Sequence, residues 1–193
     1  MLFDNVLYTV SSDNTIKCSE IPIYDEPNKY NKKLNERYYI KKGKILAYGD
    51  KLISNSEELF VINKYIKTNI KNNFYTYITP FCDSNFGLIF GIKNIQSDKY
   101  YLFEINEKGK LSLLKFENGE YTNLLSTQNK YIQNYCKNNT YKMRVIFNPI
   151  NGNIITSIND QIIYSTTDKS LNGKKVGFIS HGKNIIFKQI LSE

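Results

Sequence analysis

Residues 86–116, FGLIFGIKNIQSDKYYLFEINEKGKLSLLKF, decide the fold. Three apolar runs follow one another there, parted by polar turn clusters. In the first, Phe86, Leu88, Phe90 and Ile92 share one parity, and Gly87, Ile89 and Gly91 the other. In the second, Tyr101, Phe103 and Ile105 alternate with Tyr100, Leu102 and Glu104. Alternation of this kind, over short segments rich in aromatic and β-branched residues, marks strands with one buried face. Asn106-Glu107-Lys108-Gly109-Lys110 has the length and the glycine of a short hairpin loop. The stretch therefore reads as an antiparallel meander around which the rest of the chain packs.

Outward from this centre the same grammar repeats. Residues 2–10 and 15–23 read as strands around the turn 11–14, and Pro22 and Pro27 end regular structure, since proline cannot donate to a ladder. Residues 24–37 are polar and without a clean period. Tyr38–Ile40 and Ile45–Tyr48 read as a tight hairpin with Gly43 in its turn, and 58–63 and 73–79 as two more strands. Asn118-Gly119 turns the chain into 121–125, and 126–140 is a second polar excursion. Met143, Val145 and Phe147 alternate with Lys142, Arg144 and Ile146; turns at 148–152 and 159–161 lead into two further strands, and two more close the chain. No window of about ten residues shows a 3.6-residue apolar period. About a dozen short strands with regular turn signals predict an all-β chain, a sandwich, barrel or jelly roll in one domain.

Composition narrows the function. Trp is absent, so 16 Tyr and 11 Phe must supply the large anchors of the core. The net charge of +8 comes from lysines spread along the chain rather than from a block, which reads as a solvated surface, with an anionic glycan or acidic membrane surface as the alternative. No nucleic-acid partner is expected. No stretch approaches the roughly 18–20 apolar residues of a membrane-spanning helix, so no membrane insertion is expected either. The N-terminus meets Asp4 at once and lacks a basic region followed by a long apolar one, so it does not read as a signal peptide. That leaves an intracellular protein or a domain of a larger secreted chain. Three cysteines, Cys18, Cys82 and Cys136, leave at least one unpaired, and their spacing fits no metal site. A Cys82–Cys136 bridge and free thiols are both compatible with loop positions. Asn138-Asn139-Thr140 is an N-glycosylation sequon, relevant to a secreted chain.

The order of the pieces resembles a known superfamily. Gly87–Phe90, Tyr100–Ile105, Ile158–Ile162, Asp168–Gly173 and Val176–Ser180 look like the successive motifs of the concanavalin A-like lectin and glucanase jelly rolls, in their laminin-G-like branch. The resemblance covers roughly residues 37–193, with 1–36 supplying strands and a loop that complete the sandwich. It implies a two-sheet antiparallel jelly-roll sandwich. The two inner faces would carry Phe86, Leu88, Phe90 and Ile92, then Tyr101, Phe103 and Ile105, then Met143, Val145 and Phe147. Lys93, Tyr100, Leu102, Glu104, Lys142 and Arg144 would face solvent or a concave surface.

Fold does not carry activity with it. Glycan hydrolases of this superfamily present paired carboxylates on one strand, and no such pattern is found here. A second enzyme branch, resembling keto-disaccharide hydrolases, places Arg and Glu where this chain has Gly91 and Leu102. His181 lies in a turn with no nucleophile signature beside it, and the phosphate-loop, dinucleotide and zinc-protease motifs are missing. Laminin-G-like domains bind calcium through loop acids. Asp83, Asp98, Asp160 and Asp168 form no EF-hand-like cluster, so no cofactor is expected, with calcium through these acids as the alternative. The expectation is a non-catalytic binding module for a glycan or protein partner, extracellular or at the cell surface, within a longer adhesion protein. Tyr100, Glu104 and Arg144 are its candidate ligand-binding residues, suited to sugars by stacking and planar hydrogen bonding. A structural protein–protein interaction domain and a divergent glycan hydrolase are the alternatives.

Overall fold

A computed structural model describes residues 36–48, 51–66, 72–125 and 130–192, together with three short N-terminal strands. Those strands, β1 (Leu2–Phe3), β2 (Val6–Val10) and β3 (Ile16–Cys18), pair with one another in a small sheet of their own. The expected loop at 24–35 and the N-terminal turn at 11–14 lie outside the described residues, as does 126–129 of the second polar excursion.

Two large antiparallel sheets make up the rest. In chain order the strands are β4 (Tyr38–Lys42), β5 (Ile45–Tyr48), β6 (Lys51–Ser54), β7 (Glu58–Asn63), β8 (Asn72–Pro80), β9 (Asn85–Ile92) and β10 (Tyr100–Ile105). Then come β11 (Lys110–Glu117), β12 (Glu120–Asn123), β13 (Lys130–Tyr131), β14 (Tyr141–Phe147), β15 (Asn153–Ile158) and β16 (Gln161–Thr167). The last are β17 (Lys175–His181), β18 (Ile185–Lys188) and β19 (Leu191–Ser192). The first sheet runs β12-β11-β10-β9-β17-β7-β4, with β13 on β11; the second runs β16-β15-β14-β8-β18-β6-β5, with β19 on β8.

The meander read from residues 86–116 is present, in the register that alternation requires: Phe103 pairs Leu88 on one side and Leu113 on the other. Its loop closes as a turn, with Gly109 at φ 75° and the Asn106 side chain accepting from the amides of Lys108 and Lys110. Two-residue turns at Asn118-Gly119 and Asn159-Asp160 sit at positive φ, the geometry that matches strand twist. Inner-parity side chains of both sheets form one core. Phe90 meets Phe74 at 6.0 Å, Phe147 at 5.4 Å and Tyr101 at 5.2 Å between ring centroids, and Phe178 meets Phe187 at 4.8 Å.

Two expectations are corrected. Tyr38–Tyr48 is not a hairpin: β4 pairs β7 in the first sheet and β5 pairs β6 in the second. Gly43, at φ 87°, bends the chain from one sheet to the other, and a side chain there would meet the Glu58 carbonyl at 2.2 Å. Residues 181–184 make a similar crossing from β17 to β18, which meets the 54–57 segment through the Gly182 amide donating to the Glu57 carbonyl and the Asn184 amide to that of Ser54. Second, Ile92 is not on the inner face. Gly91, at φ 71°, makes a β-bulge that opposes Ile89–Ile92 to Gly177–Lys175, so the parity inverts and Ile92 joins the outer face. Of the two readings left open for the cysteines, free thiols hold for Cys82 and Cys136, and Cys82 Sγ donates to the Lys183 carbonyl at 2.7 Å.

Phe90 and Phe103 are both fully buried in the inter-sheet core. Phe90→Ala and Phe103→Ala should each cost about 3–5 kcal/mol in chemical denaturation. Wild-type stability in either variant would mean that the sheet faces are assigned the wrong way round.

Candidate functional site

Outward-pointing positions of the first sheet are mostly not wet. Ile62, Ile89, Ile92, Tyr100, Leu102 and Ile179 are buried in a second, smaller apolar cluster, with Tyr39, Phe60, Ile95, Leu114 and Phe116 packed against it. Tyr100 and Leu102, expected to face solvent or a concave surface, are therefore buried residues: they form part of the floor of that face. The face is concave. Phe60 on β7 and Tyr100 on β10 have centroids 5.2 Å apart, although β17 and β9 lie between their strands. Three strand spacings amount to about 14 Å, so rings on this face lean toward each other over the strands between. Glycines permit the curvature. An added Cβ at Gly177 would lie 1.9 Å from the Val61 carbonyl oxygen, and one at Gly87 2.2 Å from that of Phe103. Both contacts are with the neighbouring strand, so no side chain fits at either position.

The loop after β9 covers one end of this face. Ile95 packs on the cluster, and Lys41 Nζ donates to the Ser97 carbonyl at 3.1 Å and to the Asp98 carboxylate. Next to this loop, toward the β12 edge of the sheet, three aromatic rings from adjacent strands lie together. Tyr100 stacks on its ladder partner Phe116 at 5.0 Å, and Phe116 meets its own partner Tyr121 at 4.8 Å. The hydroxyls of Tyr100 and Tyr121 share a hydrogen bond of 2.9 Å. Exposure separates the rings: Tyr100 is 4% exposed and Tyr121 47%. Tyr121 thus presents the accessible ring, with Tyr100 and Phe116 as its support.

Glu104 stands two residues along β10 from Leu102, between Gly87 on β9 and Ser112 on β11. Its carboxylate has no hydrogen-bond or ion-pair partner among the described residues. Burial alone pushes its carboxyl up to about 7, and its charge in turn contributes to raising the phenols of Tyr100 and Tyr121. Several other carboxylates are matched: Glu117 accepts from Lys99 at 2.6 Å, Asp83 from Lys137 at 2.7 Å and Asp160 from Lys142 at 2.7 Å. Glu58, at the far side of the same face, pairs with Lys42. Among the described outward positions of β9, β10, β11 and β17, Glu104 is the only carboxylate, so the central strands offer no carboxyl pair for acid–base or nucleophilic work.

Arg144 lies elsewhere. It is on the outer parity of β14 in the second sheet, so the two faces of the sandwich separate it from Tyr100 and Glu104. There its Nε donates to Asn73 at 2.8 Å, beside Lys142 over the Tyr75 ring at 5.0 Å and Lys188 over Tyr77 at 5.5 Å. The structure brings two of the three expected residues together and places the third on the opposite surface. Asp168 is a structural residue: its side chain accepts from the Tyr101 hydroxyl at 2.9 Å and from the Ser170 amide at 2.7 Å. No group of three His, Cys, Asp or Glu side chains suited to a metal gathers among the described residues.

No family model matches the chain, and no curated protein matches it. Solved structures do. The carbohydrate-binding module CBM66 from Bacillus subtilis superposes with a TM-score of 0.64 at 13% identity, covering 81% of this chain and 94% of that one. The architecture is the concanavalin A-like jelly roll. A legume lectin-like domain from Entamoeba histolytica gives a TM-score of 0.54 at 14% identity, over 87% of this chain and 94% of that one. A sialidase gives 0.52 at 9% identity, with 81% of this chain matching 17% of the longer one. At these identities the likeness is one of fold. The motif order at Gly87–Phe90 and Tyr100–Ile105 fits it, since those segments are the adjacent strands β9 and β10.

Tyr121 and Phe60 were not singled out from the sequence. Tyr121 was within reach: the two-residue Asn118-Gly119 turn sets Phe116 opposite Tyr121, and Phe116 is one ladder step from Tyr100. Phe60 was not, because its place depends on β17 lying between β7 and β9.

The lone carboxylate has a measurable cost. Glu104 titrates higher in the folded chain than its ordinary value of 4.5, so the folded state binds more protons in the interval, and stability falls as pH rises from 4.5 through about 7. Glu104→Gln should remove that slope. Denaturation of the variant at about pH 8 should show roughly 1–3 kcal/mol more stability than wild type, shrinking toward zero near about pH 4. Parallel pH profiles for the two proteins would contradict the burial assigned to this side chain.

Proposed function

We propose that this chain is a non-catalytic glycan-binding module whose site is the β12 side of the concave face, with Tyr121 as the stacking ring and Glu104 as the hydrogen-bonding group. The observation that carries this reading is the lone, partly buried carboxylate beside an accessible aromatic ring. A buried charge costs free energy unless it is partnered, and a polyhydroxylated ligand supplies that partner. A sugar ring has an apolar face for Tyr121 and hydroxyl donors for a carboxylate acceptor. Tyr100 acts from beneath, holding Tyr121 through the shared hydroxyl contact. The fold likeness to a carbohydrate-binding module and a lectin-like domain supports the same reading. Lack of turnover follows in this proposal from the single carboxylate, since glycoside hydrolysis uses two across one bond.

We further place the module outside the cell or on its surface, as one domain of a longer adhesion chain. Asn138, the sequon asparagine, lies exposed in a loop at φ 68°. Secretory expression should then give a mass loss on enzymatic deglycosylation, absent in Asn138→Gln; no glycan at Asn138 would remove this support.

The site is tested on a glycan array with the purified chain. At least one neutral glycan class should bind, with Tyr121→Ala weakening binding by about tenfold or more and Arg144→Ala leaving it unchanged. Binding lost in Arg144→Ala and kept in Tyr121→Ala would move the site to the second sheet, and no binding to any glycan would reject the reading.

A further inference from the structure

Resting on the concave-face reading above, we propose that Glu104 makes the site selective for uncharged sugars over sugar acids, its carboxylate accepting from two adjacent hydroxyls of the ligand and repelling an anionic substituent. Glu104 is set apart by its unmatched charge. Glu117, Asp83, Asp160 and Asp168 face a lysine or a hydroxyl, whereas no cation among the described residues is placed at Glu104. From β9 it faces Gly87, which has no side chain, and from β11 it faces Ser112. Beyond them stand Ile179 on β17 and Phe60 on β7, both apolar. Of titratable groups, the phenols of Tyr100 and Tyr121 approach it, and each is bonded to the other. The lysines on the flanking elements point their charge elsewhere: Lys41 goes to Asp98, Lys42 to Glu58, Lys99 to Glu117 and Lys175 to the Lys64 carbonyl. Lys110, next along the same parity of β11, is not among the groups that shift Glu104. A site for sugar acids would need a cation here, and this one carries a lone anion.

Two carboxylate oxygens can accept from two neighbouring hydroxyls, a charge-assisted arrangement stronger than the neutral one. A ligand carboxylate or sulfate in the same place meets like charge in a partly desolvated setting. At roughly 6 Å and an effective dielectric near 40, that repulsion is worth about a factor of ten in affinity. Because Glu104 titrates at about 7, the penalty is present when the group is ionised and absent when it is protonated. Discrimination against sugar acids must therefore rise with pH.

The experiment uses neutral hexose oligosaccharides and the corresponding uronic-acid oligosaccharides as probes, with the intact chain, at about pH 5 and about pH 8.5. Uronates stay ionised throughout, and His181, on the same parity of β17, is common to wild type and Glu104→Gln, so the difference between the two pH profiles isolates Glu104. The ratio of neutral to acidic affinity should rise by about tenfold with pH in the wild type and stay flat in Glu104→Gln, which should gain affinity for the acids at the higher pH. The isosteric variant keeps the fold, checked by its thermal melt, and the wild-type ratio tests the idea without it. Neutral sugars bound but with a pH-independent ratio would overturn this inference and leave the glycan reading standing. Preferred binding of sugar acids by the wild type would also overturn it. No binding of either class at either pH would overturn both.

Discussion

The burial of one parity of each sheet against the other is the constraint on which the structure depends. Phe74 and Phe147 from the second sheet close on Phe90 from the first, with Tyr101 beside them. Because side chains alternate along a strand, this contact fixes the register of β9, β10 and β14 together: a slip of one residue would send their aromatic set to the outside. The Tyr101 hydroxyl at the edge of this cluster is satisfied. Tyr101 accepts from the Leu171 amide at 3.0 Å and donates to Asp168, which holds the loop ahead of β17 against the central strands.

Inner packing determines the outer face. Once the inner parity is committed, Gly87, Ile89, Tyr100, Leu102 and Glu104 must look outward, and the close approach of neighbouring backbones at Gly87 and Gly177 curves that face inward. Curvature brings Phe60 against Tyr100 and dries most of the concave floor. One acid remains in that setting, and its cost is not offset by any contact within the described protein. A residue that lowers stability and has no internal partner is where an external one is expected.

Much of this was legible in the sequence, and the reasons for the rest are specific. Local alternation and two-residue turns revealed the meander and the β14–β15–β16 run, because those contacts are between chain neighbours. The Gly43 bend was misread because a glycine in a short polar turn serves a hairpin and a sheet crossing equally well; only the long-range partners, β7 and β6, distinguish them. Ile92 was misplaced because a bulge adds one residue without altering the pattern of residue types. Glu104 and Tyr100 share a strand, so parity put them on one face. Arg144 was grouped with them because parity tells outward from inward but not which of two sheets is meant.

The most direct test of the account is an NMR titration of the labelled chain with a bound neutral oligosaccharide. Shift changes should be confined to the concave face, at Glu104, Ser112, Phe116 and Tyr121, with the Glu104 carboxyl carbon moving to the ionised position as ligand is added near about pH 7. Shift changes centred on Tyr75, Tyr77, Lys142 and Arg144, with Glu104 unmoved, would contradict it.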